Sequence, residues 1–178
     1  PPVFLAASST VNQLANGSSV DADGKLYLNM GARASYRDLQ ESNVDEAYIV
    51  KHVGGTAGNE TVEVTAFGRS QTFSGVKRII ADGADGDDMI IFEDGVLSEA
   101  DLKGGAGNDI IVVKSAGGTN NKIDGGTGDD YIEVGENVTV PFTLTGGPAS
   151  GSVTDQDQIY GGAGNDIISG GIDADAIY

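Results

Sequence analysis

The octapeptide GGAGNDII occurs twice in this chain, at Gly104–Ile111 and at Gly161–Ile168, and a close variant, GGTGDDYI, runs from Gly125 to Ile132. Near-identity of this kind within 178 residues is an internal repeat, and a repeat constrains the architecture before any single residue is weighed. Each copy carries Gly where a tight turn is needed, Asp where a hard cation could bind, and an apolar residue where a core is needed.

Aligned on the first Gly, five blocks follow: GADGDDMII from Gly83, GGAGNDIIV from Gly104, GGTGDDYIE from Gly125, GGAGNDIIS from Gly161 and GGIDADAIY from Gly170. A further start at Gly146 keeps the Gly pair and the apolar Val153 but has Gly151 where the Asp would stand. The starts at 83, 104, 125 and 146 are each 21 residues apart; the next interval is 15 and the last is 9. Apolar residues keep the same beat. Leu102, Ile123, Leu144, Ile159 and Ile168 stand two before a block, and Ile90, Ile111, Ile132, Val153, Ile168 and Ile177 stand eighth within one. The pattern supplies one inward apolar side chain per half-turn. It predicts coils of two short strands joined by two turns. The nonapeptide forms one edge, and Phe92–Lys103 and Val134–Thr145 absorb the extra residues on the other. Strands this short bury nothing alone; stacked coils share a narrow continuous core.

Gly suits consecutive tight turns because positive φ and close backbone approach cost it little. Repetition puts the sixth-position carboxylate at the same place on each coil, so Asp88, Asp109 and Asp130 form a column along one edge. Two like charges ~5 Å apart at an effective dielectric of ~20 repel by roughly 3 kcal/mol. Such a column needs a cation between its layers. Oxygen-only ligands select a hard ion, and a flexible shell of six to eight oxygens favours Ca²⁺ over Mg²⁺.

These blocks resemble the calcium-binding G-G-x-G-x-D-x-U-x nonapeptide of the RTX (repeats-in-toxin) family. Those at Gly104, Gly125 and Gly161 match it fully; Gly83 departs at Ala84 and Gly170 at Asp173. The resemblance implies an all-β fold over 82–178, a parallel β-roll or β-helix solenoid with Ca²⁺ held between consecutive turns. It implies side-chain ligation by Asp88, Asp109, Asp130, Asp166 and Asp175. Turn residues Gly83, Asp85, Gly104, Ala106, Gly125, Thr127, Gly161, Ala163 and Asp173 complete the expected metal set. It also implies export from a Gram-negative bacterium through type I secretion machinery, with folding outside the cell.

The chain departs from a regular roll. Full motifs line only one edge over 83–145, because Asn121 stands in GGTNNKID (Gly117–Asp124) where an Asp would be. Gly151 interrupts the column between Asp130 and Asp166, and Asp157, two before Ile159, restarts the second edge as an expected metal ligand that could pair with Asp175. The expected load is about two to five ions.

Residues 1–81 hold no clean nonapeptide. Lys25–Met30, Tyr48–Val53 and Thr61–Phe67 alternate as strands do, and Ser35–Gln40 reads as a short helical turn. Gly55–Val62 reads as a decayed block with Glu60 at position six. This half is expected to be a less regular β-rich segment, continuous with the roll or a β-sandwich-like neighbour.

The net charge of −17 is uneven. Residues 1–81 hold 8 acids and 7 bases, whereas 82–178 hold 19 acids and 3 bases. That surface argues against nucleic acid and anionic membranes, and acidic Gly-rich chains of this kind tend to disorder unless compensated. No apolar stretch approaches the ~20 residues of a membrane span. With no Cys there is no disulfide or thiolate site, and with His52 alone there is no multi-His zinc site. No nucleophile elbow or phosphate-binding loop occurs, and the clustered carboxylates lie in repeat turns, so no enzyme is expected. Asp21–Gly24 (DADG) resembles the start of an EF-hand loop, but Lys25 stands where a ligand belongs, and a plain turn is expected. Both termini look cut, which suggests a fragment of a longer chain whose solenoid continues or self-associates. Two roles fit: a calcium-rigidified segment of a large secreted or cell-surface protein such as an adhesin, S-layer-like protein or filament, or the folding and secretion module of an RTX exoenzyme or toxin. The irregular coils and β-rich leading half favour the first.

Overall fold

The structure, a computed structural model, describes residues 5–7, 20–37, 45–148 and 155–178. Gly151 and Val153 lie outside the described residues, as do residues 38–40 of the expected helical turn; Gly31–Arg37 is a 3-10 helix.

Two sheets stack the coils. One contains β1 (Ala6–Ala7), β2 (Lys25–Leu28), β6 (Arg78–Asp85), β8 (Glu99–Ala106), β10 (Asn121–Thr127), β12 (Phe142–Thr145) and β14 (Ile167–Ser169), paired in that order. The other runs, again in spatial order, through β5 (Arg69–Val76), β4 (Asn59–Ala66), β3 (Ala47–Thr56), β7 (Met89–Phe92), β9 (Ile110–Val113), β11 (Tyr131–Val134), β13 (Gln158–Tyr160) and β15 (Ala176–Ile177). From β6 onward the chain alternates between sheets, and every neighbouring pair within a sheet is parallel. This is a parallel β-solenoid of about four turns.

Register follows the apolar beat. Tyr48, Ile90, Ile111, Ile132, Ile159 and Ile177 are successive partners in one sheet, and Ala81, Leu102, Ile123, Leu144 and Ile168 in the other. These ladders face each other across the coil and, except for Ile168 and Ile177 at one end, are buried. Fully burying one such side chain is worth about 1.5–3 kcal/mol. The rung after Ile132 is Ile159, not Val153: Tyr131 pairs with Gln158, an offset of 27 where the earlier coils advance by 21.

The leading residues share both sheets. β2 lies parallel to β6 and β3 parallel to β7, so the ladders cross position 81 without a break, and β6 itself spans it. The first coil differs by an excursion: β3, β4 and β5 form an antiparallel meander that extends one sheet. Gly55–Val62 is therefore not a decayed roll turn. Thr56 pairs with Asn59 across a two-residue turn, and Gly58 takes φ 79° there, which suits a hairpin.

The adjacent residues Ile110 and Ile111 test this register. Ile111 is 1% exposed and Ile110 is 44% exposed. In calcium-containing buffer, Ile111→Ala should lower unfolding free energy by about 2–5 kcal/mol, whereas Ile110→Ala should cost well under half of that. Denaturant unfolding checks both; a reversed order would place the strand one residue out of register.

Candidate metal centre

The nonapeptide turn carries the chain from one sheet to the other, and its sixth residue turns inward at the edge of the core. Asp88, Asp109, Asp130 and Asp157 are each 2% exposed or less. One carboxylate oxygen of each is tied to the backbone of the preceding coil. Asp88 Oδ1 accepts from Glu46 N at 2.7 Å, Asp109 Oδ1 from Asp88 N at 2.8 Å, and Asp130 Oδ1 from Asp109 N at 2.8 Å. Asp157 Oδ1 then accepts from Asp130 N at 2.9 Å, and Asp175 Oδ1 from Asp157 N at 3.1 Å. The row runs unbroken through five aspartates.

The second oxygen of each buried member has no partner. Oδ2 of Asp88, Asp109, Asp130 and Asp157 is buried and accepts no hydrogen bond. Each lies over the first Gly of its own turn. A Cβ on Gly83 would strike Asp88 Oδ2 and Gly104 O, and the same pairing recurs at Gly104 with Asp109 and Gly125 O. It recurs again at Gly125 with Asp130 and Gly146 O, and at Gly146 with Asp157 and Gly170 O. Gly is required because this space holds oxygen: one carboxylate from the coil and one carbonyl from the next.

Burial is the main cause of the electrostatic strain. It pushes the Asp88 carboxyl up to about 7 and Asp109 to about 6, against an ordinary 3.8, and neighbouring carboxylates add to this while the backbone hydrogen bonds oppose it. Asp130 is pushed to about 8, with Asp109, Asp157 and Asp155 contributing, and Asp157 to about 6, with Asp155, Asp175 and Asp129 contributing.

A second row went unseen in the sequence. Position-five side chains accept from the following coil: Asp45 Oδ1 from Asp87 N, Asp87 Oδ1 from Asn108 N, Asn108 Oδ1 from Asp129 N, and Asp129 Oδ1 from Gln156 N, at 2.8–3.0 Å. Asp45 and Glu46 begin both rows. Glu46 is 3% exposed, and its Oε2 accepts from Gly31 N at 2.6 Å. The signal was the run DEAYIV at Asp45, which copies DDMIIF at Asp87.

The structure corrects the expected edges. Asp157 lies on the same edge as Asp88, Asp109 and Asp130, so it does not restart the opposite one. It does meet Asp175, as expected. Asp166 lies on the opposite edge, where its Oδ1 accepts from Phe142 N at 2.8 Å. The cause is the spacing. Asp130 follows its Gly by five residues, but Asp157 follows Gly146 by eleven, and it is Gln156 and Asp157 that stand in register with Asp129 and Asp130. The interruption expected at Gly151 is thus filled from downstream.

The opposite edge is built differently. Asn121 Oδ1 accepts from Ala100 N at 2.9 Å, while its Nδ2 donates to Gly117 O and Pro141 O at 3.1 and 3.3 Å. The amide thus brings its own donors where a carboxylate would need a cation. Glu60, fully buried, accepts from Leu97 N, Ser98 Oγ and the His52 ring, the last at 2.8 Å, so it is satisfied.

The remaining expected residues divide. Ala106 O and Thr127 O accept from Gly86 N and Gly107 N at 2.8 and 2.9 Å, which commits one lone pair of each to the ladder. Asp85 and Asp173 are exposed, and Asp173 takes φ 85°. At Gly161 the nearest neighbour of an added Cβ is Ile168 rather than a carboxylate, and Ala163 N donates to Val138 O at 3.2 Å. Asp21 Oδ1 caps Asp23 N and Lys25 N, so DADG is a plain turn.

Calcium fits the row on its oxygens. Buried carboxylate oxygens lacking any donor, each beside a carbonyl, leave a charge that only a proton or a cation offsets. Among the described residues no three His, Cys, Asp or Glu side chains converge on one point. An ion here would be held by Asp88, Asp109, Asp130 and Asp157 in ones and twos, with carbonyl and water oxygens completing its shell. When bound, it would supply positive charge between coils.

A family model for the RTX calcium-binding nonapeptide repeat, in four copies, matches residues 101–113, 115–137 and 154–178. The unmatched stretch between the last two segments contains Gly146 and Gly151, where the Asp of the repeat is missing. No curated protein and no solved structure matches the chain significantly. The matched residues include Asp109, Asp130, Asp157 and Asp175 of the row but not Asp88, and the chain is a β-solenoid that carries RTX calcium-binding nonapeptide repeats.

Proposed function

We propose that this chain is a non-enzymatic structural module of a large secreted or cell-surface bacterial protein, an adhesin, S-layer-like protein or extracellular filament, that folds and stiffens when it meets extracellular Ca²⁺. The observation that carries this reading is the row of unpaired, buried Asp Oδ2 atoms repeated from coil to coil. A row of this kind makes the fold conditional. Sites of extracellular modules bind at roughly 10⁻⁴–10⁻³ M. At ten to a hundred times Kd, each independent site adds ~1.4–2.7 kcal/mol. Several such sites match the few kcal/mol by which a domain of this size is stable. The low calcium of a cytosol would leave the module unfolded for passage through type I secretion machinery, and the five intervals from Glu46 to Asp175 agree with two to five ions. The long parallel stack and the leading β-rich coil favour a load-bearing segment over a secretion tail.

Circular dichroism with and without chelator tests the switch. The β signal should be lost in chelator and return on adding millimolar calcium, and calorimetry should count two to five ions. Titration that finds no binding would end this reading.

The pH response has a definite sign. The carboxyls of Asp88, Asp109, Asp130 and Asp157 are raised on folding from 3.8 to about 6–8. In chelator their protonated forms favour the fold fully below about pH 4, and that contribution is lost as pH rises through 6 to 8. Calcium takes the place of the proton, so its affinity should rise over the same window. Circular dichroism in chelator should therefore show more retained β signal at pH 5 than at pH 8, and the calcium concentration that restores the signal should be lower at pH 8. Greater stability at pH 8 in chelator contradicts the assigned strain.

A further inference from the structure

The outer face of the sheet that holds β11 carries a cluster unrelated to the aspartate row. In β11 the inward residues are Ile132 and Val134, so strand alternation turns Tyr131 and Glu133 outward. Glu133 pairs across the sheet with Tyr160 of β13, and Tyr160 stands beside Tyr178, the residue after the Ile159–Ile177 pair. Parallel register thus gathers three of the chain's six tyrosines on one exterior patch. The Tyr160 and Tyr178 rings stack at 4.6 Å with 10° between their planes, whereas Tyr131 and Tyr160 stand 5.7 Å apart and open at 44°.

A cavity of about 460 Å³ opens to solvent over these rings, and Glu133 and Glu136 complete its polar lining. Its donors and acceptors are unbalanced. Glu133 Oε2 accepts from Tyr131 OH at 2.6 Å, and that bond, ahead of burial, pushes the Tyr131 phenol up to about 12, so its proton stays and is committed. Glu136 is exposed and makes no ion pair among the described residues. Among the described residues no Lys, Arg, Asn or Gln lines the cavity. Lys114 feels the charge of Glu133, but its Nζ pairs with Glu93 Oε2 at 2.7 Å. An ionised carboxylate only accepts, so the site offers ring faces and acceptor oxygens to a ligand that brings its own donors. A sugar hydroxyl, which both donates and accepts, would find few donors here. A guanidinium or ammonium group only donates, and the negative faces of tyrosine rings attract it.

We propose that the face formed by Tyr131, Tyr160 and Tyr178, with Glu133 and Glu136, binds a small organic cation, a guanidinium or ammonium group on a short apolar stem. The cation lies against the tyrosine rings, and the two carboxylates accept its N–H donors. The 19 acids against 3 bases of residues 82–178 draw a cation to this half of the chain. A cavity of this size suits one small ligand, whereas a protein partner needs a far broader contact, so the occupant is a free small molecule. The site uses none of the oxygens of the aspartate row and needs calcium only as far as the fold does.

Titration with butylguanidinium in millimolar calcium, followed by calorimetry and by tyrosine emission, tests the site; the chain has no Trp to mask that emission. Binding should be saturable with roughly millimolar affinity, and the neutral isostere butylurea should not compete. Glu133→Gln combined with Glu136→Gln should weaken binding at least ~5-fold. Tyr160→Leu keeps the apolar bulk but loses the ring face, and should weaken it ~2–5-fold. Both variants should keep the wild-type circular dichroism, because these side chains lie outside the core; Tyr178→Leu serves if Tyr160→Leu disturbs the fold. Butylurea binding as well as the cation, wild-type affinity in the variants, or no saturable binding to the folded wild type would overturn the site. Binding of cellobiose or of an Arg-rich peptide where butylguanidinium does not bind would also overturn it, by assigning the face to another class of ligand.

Discussion

The stack depends on an aspartate that does two jobs with its two oxygens. Oδ1 accepts from the backbone N–H of the sixth residue one coil earlier, which fixes the coils in register at the edge as the β-ladders do in the sheets. Oδ2 is carried into the interior by the same geometry and left without a donor. In an aspartate the two come together. The hydrogen bond that aligns the coils is what buries the charge, so alignment and the need for a counter-ion arise together. A Glu in the row would have to reach differently, as Glu46 does at the start, where its carboxylate turns to Gly31 N.

The core explains why the row matters so much. Each coil contributes few inward side chains, such as Ile111, Val113 and Leu102, and they pack in narrow ladders. A core of this shape gains its energy from stacking rather than from depth. Between positions 82 and 178 it must also overcome 19 acids balanced by 3 bases. Over 1–81 the charges nearly cancel, and there the first coil adds an antiparallel meander with a buried Glu60 that is fully partnered within the chain. The two stretches share sheets but not electrostatics.

Much of this was legible in the sequence, and the failures have physical causes. The 21-residue beat of Gly and Ile located Asp88, Asp109 and Asp130 in one row and paired Leu102 with Ile123, because identical spacing leaves one way to stack. Asp157 was assigned to the wrong edge because pattern alignment reads Gly146 to Gly151 as a turn. Asp157 instead stands eleven residues after Gly146, a change that alters length without altering the register of the described strands. Gly55–Val62 imitated a roll turn because hairpins and roll turns both need Gly at positive φ; the antiparallel partners Val64 and Gln71 decided between them. Asp45 and Glu46 escaped notice because their turn lacks the glycine run that marks the others, though their downstream apolar residues kept the pattern.

The two edges of the solenoid differ in what their turns leave unpaired. On the opposite edge, Asn121 accepts from Ala100 N just as the row aspartates accept from theirs, so an amide gives the same alignment. Its Nδ2 then donates to two carbonyls, and no charge is left over. Alignment alone therefore does not require an acid, and a solenoid of Asn turns would hold its register in any medium. Aspartate at the same geometric position adds one thing only, a buried oxygen that is unfavourable until a cation arrives. The repeated Asp on one edge leaves buried charge that a bound cation would offset, and this is the physical basis of the calcium switch proposed above. The unpaired buried oxygens are densest at Asp130, Asp155 and Asp157, so the uncompensated charge is greatest there.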